Sequence, residues 1–128
     1  MRHAKIGKGG KRADLGGKYL RSKMEANLWR YFLWLKEHGE IAECEYEPKE
    51  FEFPVKRGTR FYRPDFRITE RNGVTYFLES KGYMDAKSKT QLKRMALHHP
   101  DIVVRVIDYP GYRKIAAVMS GLVPNWER

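Results

Sequence analysis

The stretch FYRPDFRITERNGVTYFLESKG, residues 61–82, decides the reading of the fold. Phe61 to Thr69 alternates as a strand does. Tyr62, Phe66 and Ile68 share one face, and Arg63, Asp65 and Arg67 share the other. Asn72-Gly73 is a hairpin turn signal leading into a second strand, Val74 to Lys81. On that strand Glu79 and Lys81 lie on one face and Ser80 on the other. If the hairpin pairs the two strands, Asp65 and the Glu79/Lys81 pair converge near one end of the sheet. Two carboxylates brought that close repel unless a proton or a cation sits between them. Mg²⁺ takes such oxygen ligands and shares its shell with water and substrate phosphate, with Mn²⁺ as a substitute. A lysine beside it can orient or deprotonate an attacking water, or stabilise negative charge developing in a transition state. The competing reading is an ordinary surface hairpin whose Glu and Lys form a weak exposed ion pair.

Working outward, SKMEANLWRYFLWLKEHGE from Ser22 carries Met24, Leu28, Phe32 and Leu35 at near-helical spacing. Ser22 is an N-cap, Glu25 completes a capping box, and Gly39 stops the helix. Trp29, Phe32 and Trp34 read as core and its rim rather than as a base-stacking platform. Ile41–Tyr46 and Phe51–Val55 read as strands interrupted near Pro48, and KRGTR, residues 56–60, as a basic turn. Asp85 caps a helix running through about His98, with Leu92, Met95 and Ala96 on its apolar side. Ile102–Ile107 is a mostly apolar strand suited to a sheet interior, and Tyr112–Met119 is a weaker last helix. Adjacent His98 and His99 diverge by about 100° on a helix, so they suit the helix C-terminus better than a shared metal. The order is α, β, β, β, α, β, α.

The 128 residues suit one domain, and 26 Lys and Arg against 16 Asp and Glu leave a net charge of +10. Phosphate-rich partners are expected, nucleic acid first, although a ribosomal-type or simply basic protein shares that charge. Residues 1–21 hold Arg2, Lys5, Lys8, Lys11, Arg12, Lys18 and Arg21 against Asp14 alone, which is +6 of the +10. With five glycines they read as a flexible basic arm that orders on DNA or RNA, or else as a solvated tail. GGKY is no phosphate-binding loop, since Tyr19 stands where Ser or Thr is required. Cys44 is the only cysteine, so no internal disulfide forms. No apolar run reaches the ~20 residues of a membrane span, and no secretory signal is seen. A cytoplasmic protein with no membrane partner is expected.

Pro64-Asp65 followed by Glu79-Ser80-Lys81 in a basic chain resembles the PD-(D/E)XK nuclease superfamily. RSKMEANLWRYFLWL, RGTRFYRPDF and ESKGYMDAKSKTQLKRM look like small phage-encoded nucleases of that group, with the flavour of phage endonuclease-I-type and archaeal-type Holliday junction resolvases. The resemblance spans about residues 19–108. It implies an α/β fold with a restriction-endonuclease-like αβββαβ core, a central mixed sheet flanked by helices, with residues 22–128 as the nuclease domain and 1–21 as the arm. Asp65 and Glu79 would be metal ligands, helped by the backbone carbonyl of Ser80, and Lys81 the catalytic lysine. Glu25 would be the helix-borne acid of such enzymes, a role that competes with its place in the capping box. The implied reaction is metal-dependent DNA cleavage leaving a 5′-phosphate.

The helix face of Lys87, Lys89, Lys93 and Arg94 would contact the DNA backbone, together with Arg60 and the arm; as physics alone it is equally a solvated face. A branched junction is the first substrate to consider, cut by a homodimer that Trp29 or Trp126 could seal. A sequence-specific restriction- or transposition-type endonuclease is the second reading, and a non-catalytic DNA-binding protein the third.

Overall fold

The computed structural model describes residues 6–128, so Arg2 and Lys5 of the expected arm lie outside the described residues. In chain order the elements are β1 (Gly10–Lys11), a 3₁₀ turn (Ala13–Leu15), β2 (Tyr19–Leu20), α1 (Lys23–Glu37), β3 (Glu43–Tyr46), β4 (Phe51–Glu52), β5 (Phe61–Tyr62), β6 (Phe66–Thr69), β7 (Thr75–Lys81), α2 (Ala86–His98), β8 (Val104–Asp108) and α3 (Tyr109–Met119). The protein is α/β with a mixed central sheet of order β3-β6-β7-β8. The pairs β3/β6 and β6/β7 are antiparallel, whereas β8 runs parallel to β7. That parallel step needs a long crossover, which α2 supplies.

The predicted hairpin forms in the predicted place, with Thr69 opposite Thr75 and Phe66 opposite Leu78. Gly73 adopts φ +89°, a left-handed backbone that glycine tolerates, and Asn72 Oδ1 accepts from the Val74 N–H at 3.0 Å. Alternation then sends Tyr76 and Leu78 to one side of the sheet and Phe77 to the other. On the first side they join Phe66, Ile68 and the buried face of α1 (Met24, Leu28, Trp29, Phe32), with Tyr112 from α3. On the second side Phe77 packs with Phe51, Phe53, Tyr62 and Met95, under the β4–β5 hairpin and α2. Trp29 stacks on Phe66 at 5.8 Å and Phe32 meets it edge-on at 5.3 Å. Burying each large side chain of this kind stabilises the fold by roughly 1.5–3 kcal/mol.

Several expectations are corrected. The single strand Phe61–Thr69 is two, because Pro64 has no N–H for a ladder; β5 pairs with β4 and β6 with β3. β8 is not interior but an edge strand, with Val106 exposed and Val103 exposed just before it. On α2, Asp85 caps as expected, accepting from the Ser88 N–H at 2.7 Å. Met95 is buried and Leu92 half-buried, whereas Ala96 is exposed. α3 starts three residues early, because Asp108 Oδ1 accepts from the Gly111 N–H at 2.8 Å and Pro110 suits a first turn. Trp29 is core and Trp126 stacks on Tyr112 at 6.1 Å, so neither is an exposed seal for a dimer.

The largest correction concerns the arm. Over the described residues 6–21 it is folded: β1 and β2 pair, Gly16 and Gly17 reverse the chain at φ +71° and +73°, and Leu15 and Leu20 are buried. Arg12 is the clasp. Its five N–H groups donate to Glu127, to Gly10, Leu20 and Lys8 carbonyls, and again to Glu127. Nothing is left to offer a phosphate, so Arg12 is structural. Arg30 joins Asp14 and Glu127 at 2.8 and 2.7 Å, while buried Asn27 bonds Tyr112 and the Glu127 backbone. Among the described residues no helix is long and apolar enough to cross a membrane.

Candidate functional site

The end of β7 lies where three elements meet, and each delivers one acid. Pro64 ends the β5 extension and leaves Asp65 at the head of β6, where its Oδ2 accepts both the N–H and the hydroxyl of Ser80, each at 2.8 Å. Asp65 thereby stands in for the next ladder residue and is bolted to β7 at one atom. Glu79, one position before Ser80, points to the opposite side; its Oε1 accepts from the Tyr62 hydroxyl at 3.3 Å and its Oε2 lies 3.3 Å from Lys81 Nζ. Glu25 arrives from the first turn of α1. Only half of the expected capping box forms: Ser22 Oγ accepts from the Glu25 N–H at 3.0 Å, but the Glu25 carboxylate turns away from Ser22. It accepts instead from the Arg21 N–H at 3.1 Å, from the Arg21 guanidinium at 3.2 Å and from the Tyr46 hydroxyl.

All three carboxylates are buried, and with Arg21, Lys81 and Asp85 they line one cavity of about 420 Å³. Gly82 closes it beside the N-terminal segment: a Cβ there would stand 2.5 Å from Ile6 Cγ2. A second cavity of about 520 Å³ shares Arg21, Glu79, Lys81 and Asp85 with the first and adds Arg63, Lys87, Phe61 and Gln91. Glu47 and Glu50 line it too, with Glu50 3.3 Å from Arg63, so the acid cluster opens directly onto a groove of mixed charge and aromatic rings.

The electrostatics follow from burial. The Asp65 carboxyl is pushed well above the carboxylate range by burial, then by Glu79 and Glu25; Arg21 and the Ser80 N–H oppose the shift without cancelling it. Burial also raises Glu79, against the pull of Lys81. Burial alone would lower Arg21, but Asp65 and Glu25 outweigh it and hold the guanidinium charged. The Tyr46 and Tyr62 hydroxyls are pushed up by burial and by these acids, so both are neutral donors at physiological pH. Such a cluster asks for positive charge. The donor set is all oxygen, which fits a hard divalent ion. Among the described residues no three His, Cys, Asp or Glu side chains form a ready-made cage; an ion of the Mg²⁺ type needs only one or two carboxylates, completing its shell with water and phosphate oxygens.

The geometry therefore brings together Asp65, Glu79, Ser80, Lys81 and Glu25, with Lys87 on the adjoining groove. Ser80 enters through its N–H and hydroxyl, both donated to Asp65. Lys8, Lys11 and Lys18 are exposed on the N-terminal hairpin, and Lys89 and Lys93 on α2, outside both cavities. Arg60 pairs with Glu52 at 3.5 Å and lies over the Phe61 ring. Arg21, grouped with the arm in the sequence, belongs to the acid cluster. Tyr46, Tyr62, Arg63 and Gln91 carry no functional signal in the sequence beyond the strand alternation that buries Tyr62.

Comparisons with protein-family profiles, with curated proteins and with solved structures give no match.

Proposed function

We propose that the protein is a metal-dependent DNA endonuclease with a restriction-endonuclease-like αβββαβ core, in which β4 and β5 form an insertion between the first two core strands. One observation carries the reading: Asp65, Glu79 and Glu25, from three separate elements, bury their carboxylates in a single cavity that also holds Lys81. Buried acids in mutual repulsion are costly for a fold that needs only packing.

In this reading Asp65 and Glu79 hold a Mg²⁺ or Mn²⁺ ion, with the Ser80 carbonyl and Glu25 as neighbouring donors. The ion, when bound, polarises a phosphate oxygen and acidifies water. Lys81, 29% exposed and 3.3 Å from Glu79, reaches from the acids into the groove, where its ammonium orients the attacking water or steadies charge developing on the phosphate. Arg63 and Lys87 bind the neighbouring phosphates of the strand. The Tyr62 hydroxyl fixes the Glu79 carboxylate, and Ser80 fixes Asp65. The products carry a 5′-phosphate and a 3′-hydroxyl. A branched junction cut by a homodimer is the favoured substrate, with Arg63 and Lys87 of the groove as backbone contacts.

The test compares wild type with Lys81→Ala on a labelled four-way junction, linear duplex and single strand, each in Mg²⁺ and in EDTA. Cutting of the junction alone, dependent on both metal and Lys81, supports a resolvase. Cutting of duplex at one sequence replaces it with a sequence-specific endonuclease. Tight binding without cleavage in any metal leaves a DNA-binding protein.

A further inference from the structure

We infer that Arg21 is a built-in cation that occupies the carboxylate cluster when no divalent ion is there, and that an incoming phosphate draws it off. The inference rests on the metal-binding reading of the acids. Of the two Asp65 oxygens, Oδ2 is already taken by the Ser80 N–H and hydroxyl. Oδ1 remains for a cation, and it is the oxygen to which Arg21 Nη2 donates. The same nitrogen and Nε reach Glu25 Oε2 at 3.2 Å. A divalent ion and the guanidinium therefore compete for one atom.

Arg21 is also built to leave, unlike the other arginines of this region. Arg12 and Arg30 have side chains 11% and 5% exposed and are locked in ion pairs with Glu127, whereas the Arg21 side chain is 54% exposed. It sits between β2 and the cap residue Ser22, outside any ladder or helix that would fix its rotamer. It lines both cavities, so a phosphate in the second lies within the sweep of its side chain. The planar guanidinium fork suits phosphate as well as carboxylate. Removing one positive charge from beside a divalent ion strengthens that ion's binding.

The experiment titrates Mn²⁺ calorimetrically into DNA-free wild type, Arg21→Gln, Arg21→Lys and Asp65→Asn, at about pH 8 to limit proton competition for the acids. Thermal melts confirm that each variant is folded. Arg21→Gln is expected to bind Mn²⁺ at least about tenfold more tightly than wild type, the scale on which a charge-assisted pair competes. Arg21→Lys falls between the two, and Asp65→Asn loses the site. In EDTA, Arg21→Gln binds a short duplex about three- to tenfold more weakly, since the released guanidinium is a phosphate ligand. Asp65-dependent Mn²⁺ binding that is equal or weaker in Arg21→Gln overturns the inference and leaves the metal reading standing. Absence of Asp65-dependent Mn²⁺ binding in every folded variant removes the metal reading itself.

Discussion

Glu25 distinguishes a helix cap from a site residue, and two substitutions one turn apart separate the roles. Ser22→Ala removes the oxygen that accepts the Glu25 N–H at 3.0 Å, and loss of such a cap costs about 1 kcal/mol. For a domain of this size that lowers Tm by roughly 3–5 °C. Glu25→Gln leaves the cap intact, because the backbone N–H is unchanged. Its cost arises elsewhere: the four hydrogen bonds reaching the carboxylate all come from donors, two groups of Arg21 guanidinium, the Arg21 N–H and the Tyr46 hydroxyl. The new amide NH₂ must face some of them. Arg21 is more than half exposed and swings out, and relief of repulsion on Asp65 offsets part of the loss. About 1–2 kcal/mol of destabilisation remains. The two variants thus melt alike but differ in cleavage. Ser22→Ala is expected to stay within about threefold of wild type, as an intact site on a folded domain should. Glu25→Gln is expected to lose about 10- to 100-fold and to need more Mg²⁺ for half-maximal rate. Melting curves and Mg²⁺ titrations of cleavage at fixed DNA read both. If Glu25→Gln cuts as wild type at every Mg²⁺ concentration while Ser22→Ala is the slower enzyme, the turned carboxylate has no part in cleavage and Glu25 is a cap.

Three further outcomes follow from the same geometry. Asp65 and Glu79 have folded-state pKa values above their unfolded ones, so the native state binds more protons and stability falls as pH rises from the ordinary carboxylate range, about 4, through the raised values; urea melts of metal-free protein between pH 5 and 8 should show a decline that flattens in Glu79→Gln. Arg12→Ala should cost about 2–4 kcal/mol in urea melts through its buried network while leaving the salt slope of DNA binding unchanged, whereas Lys87→Ala should reduce that slope by about one unit with no loss of stability. The Cys44 thiol is buried and raised to about 11, so native protein at pH 8 should resist alkylation that the urea-unfolded chain undergoes readily, as a timed iodoacetamide reaction will report.

The parts legible from sequence are those set by short-range periodicity. Alternation on β7 and the Asn72-Gly73 turn suffice to predict that Asp65 and Glu79 end on adjacent strands, and both caps, Ser22 and Asp85, were readable from residue type and spacing. What escaped depends on partners far along the chain. Arg12 finds Glu127 across 115 positions, which turns an apparent arm into a folded hairpin, and no local pattern announces that pairing. Arg21 looked like one more basic residue of the arm, because its acids come from α1 and β6. The run Ile102–Ile107 is apolar enough for a sheet interior, yet among the described residues no strand lies beyond β8. The break at Pro64 was visible as a residue but not as a break, since it takes the Ser80 contact to show that Asp65 bonds β7 through its side chain.

Two residues, Arg63 and buried Pro64, separate the β4–β5 hairpin from Asp65, and Tyr62 on that hairpin grips Glu79. At its far end the loop is strapped to α2, where Arg94 donates to the carbonyls of Thr59 and Arg57. The hairpin is therefore tied at both ends, to α2 at its turn and to Glu79 at its base. An insertion at residues 56–60 would therefore reach the site through the Tyr62 hydroxyl and the Glu79 carboxylate it holds, while Asp65, fastened to Ser80 of β7, keeps its place.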